Sequence, residues 1–121
     1  MKAIGVLVLA VVTGLGIFGL AELTQNRPDP VDPSSSTIVT FDVATRGYRG
    51  GDDSAANALW AVCSATVPGD VTAVAPAAAS DDYEVTITPA IGENGRKRLL
   101  GCLEDGTLDR VMGHVSDMAR T

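Results

Sequence analysis

A chain of 121 residues has room for one domain, and a formal net charge of −6 limits what that domain can bind. An excess of carboxylates repels phosphate backbones, so nucleic acids are excluded as expected partners. The first third of the chain is too biased in composition to join a packed core. We therefore expect a small folded domain that needs a covalent cross-link for stability.

Residues 1–23 are predicted to form a transmembrane anchor. The run from Ala3 to Ala21 carries no charge, and a helix of that length spans roughly 28 Å, close to the ~30 Å hydrocarbon core of a bilayer. Lys2 precedes the run, and acidic residues outweigh basic ones just after it. The positive-inside rule then predicts a single-pass protein of the cell membrane with its C-terminal domain outside.

A cleaved signal peptide is the alternative interpretation of this segment. Gly19-Leu20-Ala21 offers small residues at the two positions that signal peptidase reads, so cleavage after Ala21 would release a secreted domain. The uncharged run is longer than the ~7–15 residues of a usual signal-peptide core. This length favours an anchor that stays attached.

Residues 24–36 are predicted to be a linker. Three prolines and a serine triplet favour extended, polyproline-like conformations, and such a composition does not build a core. The domain is then expected to occupy residues 37–121 and to stand clear of the bilayer.

The domain is predicted to begin with a strand and a helix. Apolar and polar residues alternate along Ile38–Ala44, which is typical of a half-buried strand. A helix follows, with N-cap candidates in Asp52–Ser54 and its end at Pro68-Gly69. Its apolar residues fall at helical spacing: Ala56, Leu59, Trp60, Cys63 and Val67.

Two more strands are predicted after this helix. Val71–Ala75 is a short apolar run that Pro76 stops, and Tyr83–Thr88 alternates clearly between apolar and polar residues. The stretch between them, Ala77–Asp82, suits a hairpin loop.

A second helix is predicted from about Asn94 to Met112. Its apolar stripe drifts, and Gly101 and Gly106 each weaken it, so a break near Gly106 is the alternative to an unbroken helix. The segment His114–Met118 is either a short last strand or the final turn of this helix, since periodicity does not separate the two in so few residues.

This order, βαββα with a candidate last strand, predicts an α+β fold of the ferredoxin-like, split βαβ type. Two helices would cover one face of an antiparallel sheet. The first and third strands have the cleanest patterns and are expected at the centre, with the second and last strands at the edges.

Cys63 and Cys102 are predicted to form a disulfide. Each lies on the apolar stripe of its helix, so helices packed side by side bring the two within bridging distance. Two free thiols, or redox or metal chemistry, are the alternatives, and the lack of a C-x-x-C motif argues against redox chemistry. Trp60 is expected to pack over the bridge or the sheet.

One loop is a candidate ligand site. Arginines and glycines between a strand and a helix N-terminus can bind an anion. The alternative is turn chemistry with ion pairs to Asp52 and Asp53, which occupy the helix start that an anion would need. The candidate loop residues are Arg46, Gly47, Arg49, Gly50 and Gly51.

No catalytic, metal or cofactor site is predicted. The single histidine, His114, has no cysteine or second histidine near it in the sequence to complete a metal site, so we expect it at the surface or at a strand edge. The basic run Arg96–Arg98 begins the second helix, where the helix dipole disfavours positive charge. We expect compensation from one or more of four acidic residues: Asp81, Asp82, Glu84 and Glu93.

Three short segments together resemble small exported proteins of actinobacterial type that have no assigned activity. The resemblance covers Thr37 to Met118 and implies a shared domain with a paired cysteine. The segments are Trp60-Ala61-Val62-Cys63, Gly101-Cys102-Leu103-Glu104-Asp105 and Asp109-Arg110-Val111.

The expected function is non-enzymatic. A membrane-tethered domain would bind or position a protein partner at the cell envelope. One alternative is a domain that binds a small anion or phosphoester through the loop Arg46–Gly51. Another is a structural subunit of a membrane complex.

Overall fold

An N-terminal helix precedes an α+β domain. The computed structural model describes residues 2–24, 30–106 and 108–121. The helices are α1 (Lys2–Thr24), α2 (Gly51–Cys63) and α3 (Glu93–Asp105), with a 3-10 turn at Ser64–Thr66 after α2. The strands are β1 (Thr37–Thr45), β2 (Asp70–Val71), β3 (Ala75–Pro76), β4 (Tyr83–Thr88) and β5 (Val111–Arg120).

The helix α1 is apolar and lies outside the core of the domain. Its segment Ala3–Leu20 has a mean hydropathy of 2.5 and none of it is buried. By length and composition this helix can cross a membrane, and a signal sequence near an N-terminus meets the same test. Met1, the first residue of the predicted anchor, lies outside the described residues.

The domain is built on a five-stranded antiparallel sheet. Its strand order is β2–β4–β1–β5, and β3 also pairs with β4. The two strands with the cleanest alternation, β1 and β4, are central. The predicted α+β class and the predicted central strands are therefore confirmed.

The core lies between this sheet and the helices α2 and α3. Val39 and Phe41 of β1 are fully buried, as are Leu59 of α2 and Leu99 of α3. Trp60 stacks on Phe41 with ring centroids 6.0 Å apart and an interplanar angle of 21°. Trp60 thus packs over the sheet, which the sequence predicted as one of its two positions.

Cys63 and Cys102 join α2 to α3. The two Cα atoms lie 5.6 Å apart and the residues form a disulfide that closes a sequence separation of 39 residues. Cys63 is the last residue of α2 and is fully buried. Cys102 is half-buried and packs against the core, so the bond links the buried end of α2 to α3.

The predicted second strand, Val71–Ala75, is wrong as a single strand. It is divided into β2 and β3, because the Thr72 hydroxyl replaces a backbone acceptor and takes the hydrogen bond from the Thr86 N–H at 2.9 Å. Pro76 does not stop the run but is the last residue of β3. A proline is tolerated there because β3 lies at the edge of the sheet.

The predicted end of the second helix at Met112 is also wrong. The helix α3 ends at Asp105, and Gly106 turns away from it while its N–H still donates to the Cys102 carbonyl at 2.9 Å. The predicted break near Gly106 is confirmed. Val111 and Met112 belong to β5, which a tight turn begins through the bond from the Val111 N–H to the Leu108 carbonyl at 3.1 Å.

The segment His114–Met118 is part of a strand of ten residues. Ser116 is a bulged residue, because Thr40 pairs with Asp117 while the next residue, Phe41, pairs with Val115. The bulge moves the buried side of β5 from odd to even positions, so that Val115 is half-buried and Met118 is buried. This change of phase explains why alternation did not identify the strand.

The free edge of β5 is partly covered by Glu104 of α3. The Glu104 Oε1 atom accepts a hydrogen bond from the Val115 N–H at 3.3 Å and lies 3.5 Å from Nδ1 of His114. His114 is exposed on this edge strand, which confirms its predicted place. A carboxylate that occupies an edge N–H also reduces pairing with other chains.

Part of the predicted linker is bound to the domain. Ser36 exchanges two backbone hydrogen bonds with Thr121, at 3.0 and 2.9 Å, and the Ser35 carbonyl accepts one from the Ala90 N–H at 2.8 Å. Residues 25–29 of the predicted linker lie outside the described residues. The chain thus contacts the domain before β1 begins.

A glycine in β5 allows the close approach of α3, and its replacement tests this packing. A Cβ atom at Gly113 would overlap the Leu103 carbonyl and lie 2.6 Å from Leu59 Cδ2. We expect Gly113→Ala to lower the free energy of unfolding by about 1–3 kcal/mol through overpacking, measured by denaturant unfolding.

Gly101→Ala is the matched control, because a Cβ atom there meets nothing within 4 Å. This substitution lies in the interior of α3 and is expected to stabilise the chain by up to about 1 kcal/mol. Equal effects at the two positions would contradict the close packing of α3 on β5.

Candidate functional site: an arginine groove

The loop Arg46–Gly51 connects β1 to α2. Gly47 and Gly51 have φ angles of +69° and +73°, a left-handed region that favours glycine, and so the chain reverses within a few residues. The chain enters the sheet at Thr37, the first residue of β1. The loop follows the opposite end of this strand. Nine residues of strand place these ends roughly 26 Å apart.

The N-terminus of α2 is occupied by carboxylates of the chain itself. Asp52 Oδ1 accepts a hydrogen bond from the Thr45 hydroxyl at 2.9 Å, and Asp53 Oδ1 accepts one from the Tyr83 hydroxyl at 2.7 Å. Negative charge in the first turn is favourable to the helix dipole. A small anion at the helix start would have to approach these two charges.

The predicted N-cap in Asp52–Ser54 is wrong. The helix begins at Gly51, and the N-cap residue, Gly50, makes no side-chain capping bond. The positive φ of Gly51 turns the chain into the helix before the first aspartate is reached. The aspartates therefore lie inside the first turn.

The ion pairs expected from Arg46 and Arg49 to these aspartates are not formed. Within the described ranges, the pairs within 4.0 Å are Lys97–Glu93, Arg110–Asp109 and His114–Glu104. Hydroxyl groups already occupy the carboxylates, and both arginine side chains are exposed. Two guanidinium groups are thus left to solvent.

A third arginine, Arg110, lies against the same loop. The Arg46 N–H donates to the Arg110 carbonyl at 3.0 Å, and Arg110 Nη1 lies 3.5 Å from the position that a Cβ atom on Gly47 would take. Arg110 was predicted to lie within the second helix, because that helix was extended to Met112. Gly106, four residues earlier, was the one sequence signal for the helix end that brings Arg110 to this loop.

The loop and the turn that precedes β5 together line two adjoining surface cavities. Their volumes are about 630 and 450 Å³, and they share Leu108, Asp109 and Arg110. Arg46 and Met112 line the larger cavity, and Tyr48 and Arg49 line the smaller one. We call this surface the arginine groove and define it by Arg46, Arg49, Leu108, Arg110 and Met112.

The structure thus brings Arg46, Gly47 and Arg49 to one surface with a residue that sequence analysis missed. Gly50 and Gly51 shape the start of α2 and do not line these cavities. In the part of the chain that the structure describes, no three His, Cys, Asp or Glu residues are grouped to hold a metal ion.

The basic run at the start of α3 lies outside the groove. Lys97 pairs with Glu93 at 3.4 Å, one of the four acidic partners that were predicted. Asp82, another of them, instead accepts a hydrogen bond from the Ser116 hydroxyl at 2.8 Å. Because the Lys97–Glu93 pair is exposed, it contributes little stability.

Comparison with known proteins identifies no relative. No family model, no curated protein and no solved structure matches the chain significantly. The resemblance to small actinobacterial exported proteins stays a prediction. The function is therefore inferred from the residues of this chain alone.

The bond between Tyr83 and Asp53 gives a titration that tests the geometry at the start of α2. The hydrogen bond to Asp53, burial, and the charges of Asp53 and Asp52 raise the pKa of Tyr83 to about 12, from 10.0. Since the folded pKa is the higher one, the protonated hydroxyl stabilises the fold below about pH 10. This contribution is lost as the pH rises from about 10 to 12.

Ultraviolet titration of the Tyr48→Phe variant measures Tyr83 alone, because the chain has 2 tyrosines. We expect a midpoint near 12, and a return towards 10 when Asp53→Asn is added. Asp52→Asn is the control and is expected to move the midpoint less. A midpoint near 10 in the variant that keeps Asp53 would contradict the hydrogen bond between Tyr83 and Asp53.

Proposed function

We propose that this chain is a single-pass membrane protein whose domain lies outside the cytoplasm. The length and hydropathy of α1 support a membrane span. Lys2 before the span supports a cytoplasmic N-terminus. The pairing of Cys63 with Cys102 supports an oxidising compartment for the domain, since disulfides persist there and are rare in the cytosol.

The proposed fold is ferredoxin-like. The strand order β2–β4–β1–β5 supports it, because α2 connects β1 to the strand beyond β4, and α3 connects β4 to the strand beyond β1. In this plan each helix crosses over one intervening strand. The two-residue strand β3 is then an addition beside β4.

The domain is proposed to act by binding a protein partner at the cell envelope. The observation that carries this proposal is the arginine groove. Arg46 and Arg49 are exposed there without an ion-pair partner among the described residues, in a chain whose net charge is −6. The groove also lies at the end of β1 away from the entering chain, where a tethered domain can meet another molecule.

A second candidate is a small-anion or phosphoester site in the loop Arg46–Gly51. The same exposed arginines favour it, and the carboxylates of Asp52 and Asp53 at the helix start disfavour it. A response of the chain to inorganic phosphate alone distinguishes this candidate from protein binding.

Site-specific photo-crosslinking in intact cells tests the binding proposal. Asp109 lies in the groove with its side chain 96% exposed, so a photoreactive amino acid there reaches any occupant. We expect a covalent adduct with one other protein. The same amino acid at Ala61, exposed on α2, or at Ser80, exposed in the hairpin loop, is the control and should give none.

The crosslinking outcomes distinguish whether the domain binds a protein from whether that protein binds in the arginine groove. Adducts from Ala61 or Ser80 but not from Asp109 would keep protein binding and remove the groove from it. No adduct from any of the three positions would contradict the proposed function.

A further inference from the structure

The positive charges of the arginine groove are only weakly compensated by acidic residues of the same chain. Arg110 lies 4.0 Å from Asp109, with side chains 62% and 96% exposed, and such a pair is weak. Arg46 and Arg49 form no ion pair with any residue that the structure describes. Three guanidinium groups are therefore available to a ligand, and each presents a planar pair of donors that matches a carboxylate.

The groove also offers apolar surface beside these charges. Met112 is 64% exposed and lines the larger cavity together with Leu108 and Ala44. An exposed methionine adapts its shape to an apolar group of a ligand. A ligand that contacts the whole arginine groove therefore has both negatively charged and apolar groups along one extended molecule.

The backbone at Arg110 is held in an unfavourable conformation. Its φ angle of 63° lies in the left-handed region, which a residue with a long side chain rarely adopts. The hydrogen bond to the Arg46 N–H and the turn from Leu108 to Val111 hold it there. Strain of this kind is found at ligand sites, and here it places the guanidinium of Arg110 over Gly47.

The surroundings favour a peptide over a compact anion. A phosphate ion at the start of α2 would meet Asp52 and Asp53. An extended chain in the groove can instead contact the arginines that line the two cavities. Arg110 lines both of the adjoining cavities, Arg46 lines only the larger one and Arg49 only the smaller one, so an occupant that pairs with all three arginines must contact both cavities. The tether precedes Thr37, at the opposite end of β1 from the groove.

We infer that the arginine groove binds an acidic peptide segment of the partner protein. Carboxylates of that segment pair with Arg46, Arg49 and Arg110, and an apolar side chain beside them contacts Leu108 and Met112. This inference rests on the proposed protein-binding function and names the chemistry of the partner.

The test uses the full chain in phosphatidylcholine nanodiscs and a displayed library of short random peptides. We expect the selected peptides to be enriched in Asp and Glu next to an apolar residue. Their affinity should fall about tenfold or more in Arg49→Glu and in Arg46→Ala/Arg110→Ala, and it should fall as salt rises. Arg49→Glu changes an exposed loop side chain only, so it is informative even if Arg110→Ala disturbs the turn.

Arg96→Ala/Arg98→Ala is the matched control, since it removes two exposed arginines of α3 outside the groove. This variant should bind the selected peptides as the wild type does. Selected peptides without acidic enrichment, or with equal affinity for Arg49→Glu, would overturn the inference. Binding of inorganic phosphate by the wild type, lost in the same variants and displacing the peptides, would also overturn it in favour of a small-anion site.

Experiments can distinguish failure of the acidic-peptide inference from failure of the proposed protein-binding function. A protein crosslinked from Asp109 whose binding is unchanged in Arg49→Glu would keep the proposed function and overturn this inference alone.

Discussion

The covalent bond between Cys63 and Cys102 is the constraint on which the domain depends. It closes a sequence separation of 39 residues, and on the chain-entropy model this stabilises the fold by roughly 4 kcal/mol. A core of this size supplies only a few kcal/mol by itself. Because Cys63 ends α2 and Cys102 lies in the last turns of α3, the bond holds both helices on the same side of the sheet.

The same packing determines where the arginine groove is formed. Held by Cys102, α3 ends at Asp105, and the Gly106 N–H makes its last backbone bond to the Cys102 carbonyl. The turn Leu108–Arg110 follows the end of α3 and lies beside the loop that precedes α2. The bond between Arg46 and Arg110 then joins loop and turn. The loop and the turn thus bring three arginines to one surface.

Part of the fold and less of the site could be predicted from the sequence. The strands β1 and β4 were identified because their alternation continues unbroken across one buried face. The end of α3 could not be identified, because Leu108 and Val111 happen to have helical spacing. The left-handed backbone conformation of Arg110 also has no signal in the sequence. In β5 the bulge at Ser116 hides the alternation. Proximity in sequence suggested pairs between the arginines and Asp53, but Tyr83, 30 residues away, takes that carboxylate.

One measurement tests both the proposed membrane tether and the disulfide of the domain. Intact mass is measured on the protein from its native membrane fraction, with alkylation before and after reduction. We expect the full-length chain, lighter by two hydrogen atoms and alkylated at Cys63 and Cys102 only after reduction. A chain that begins at Glu22, or two thiols that are alkylated without reduction, would contradict the account.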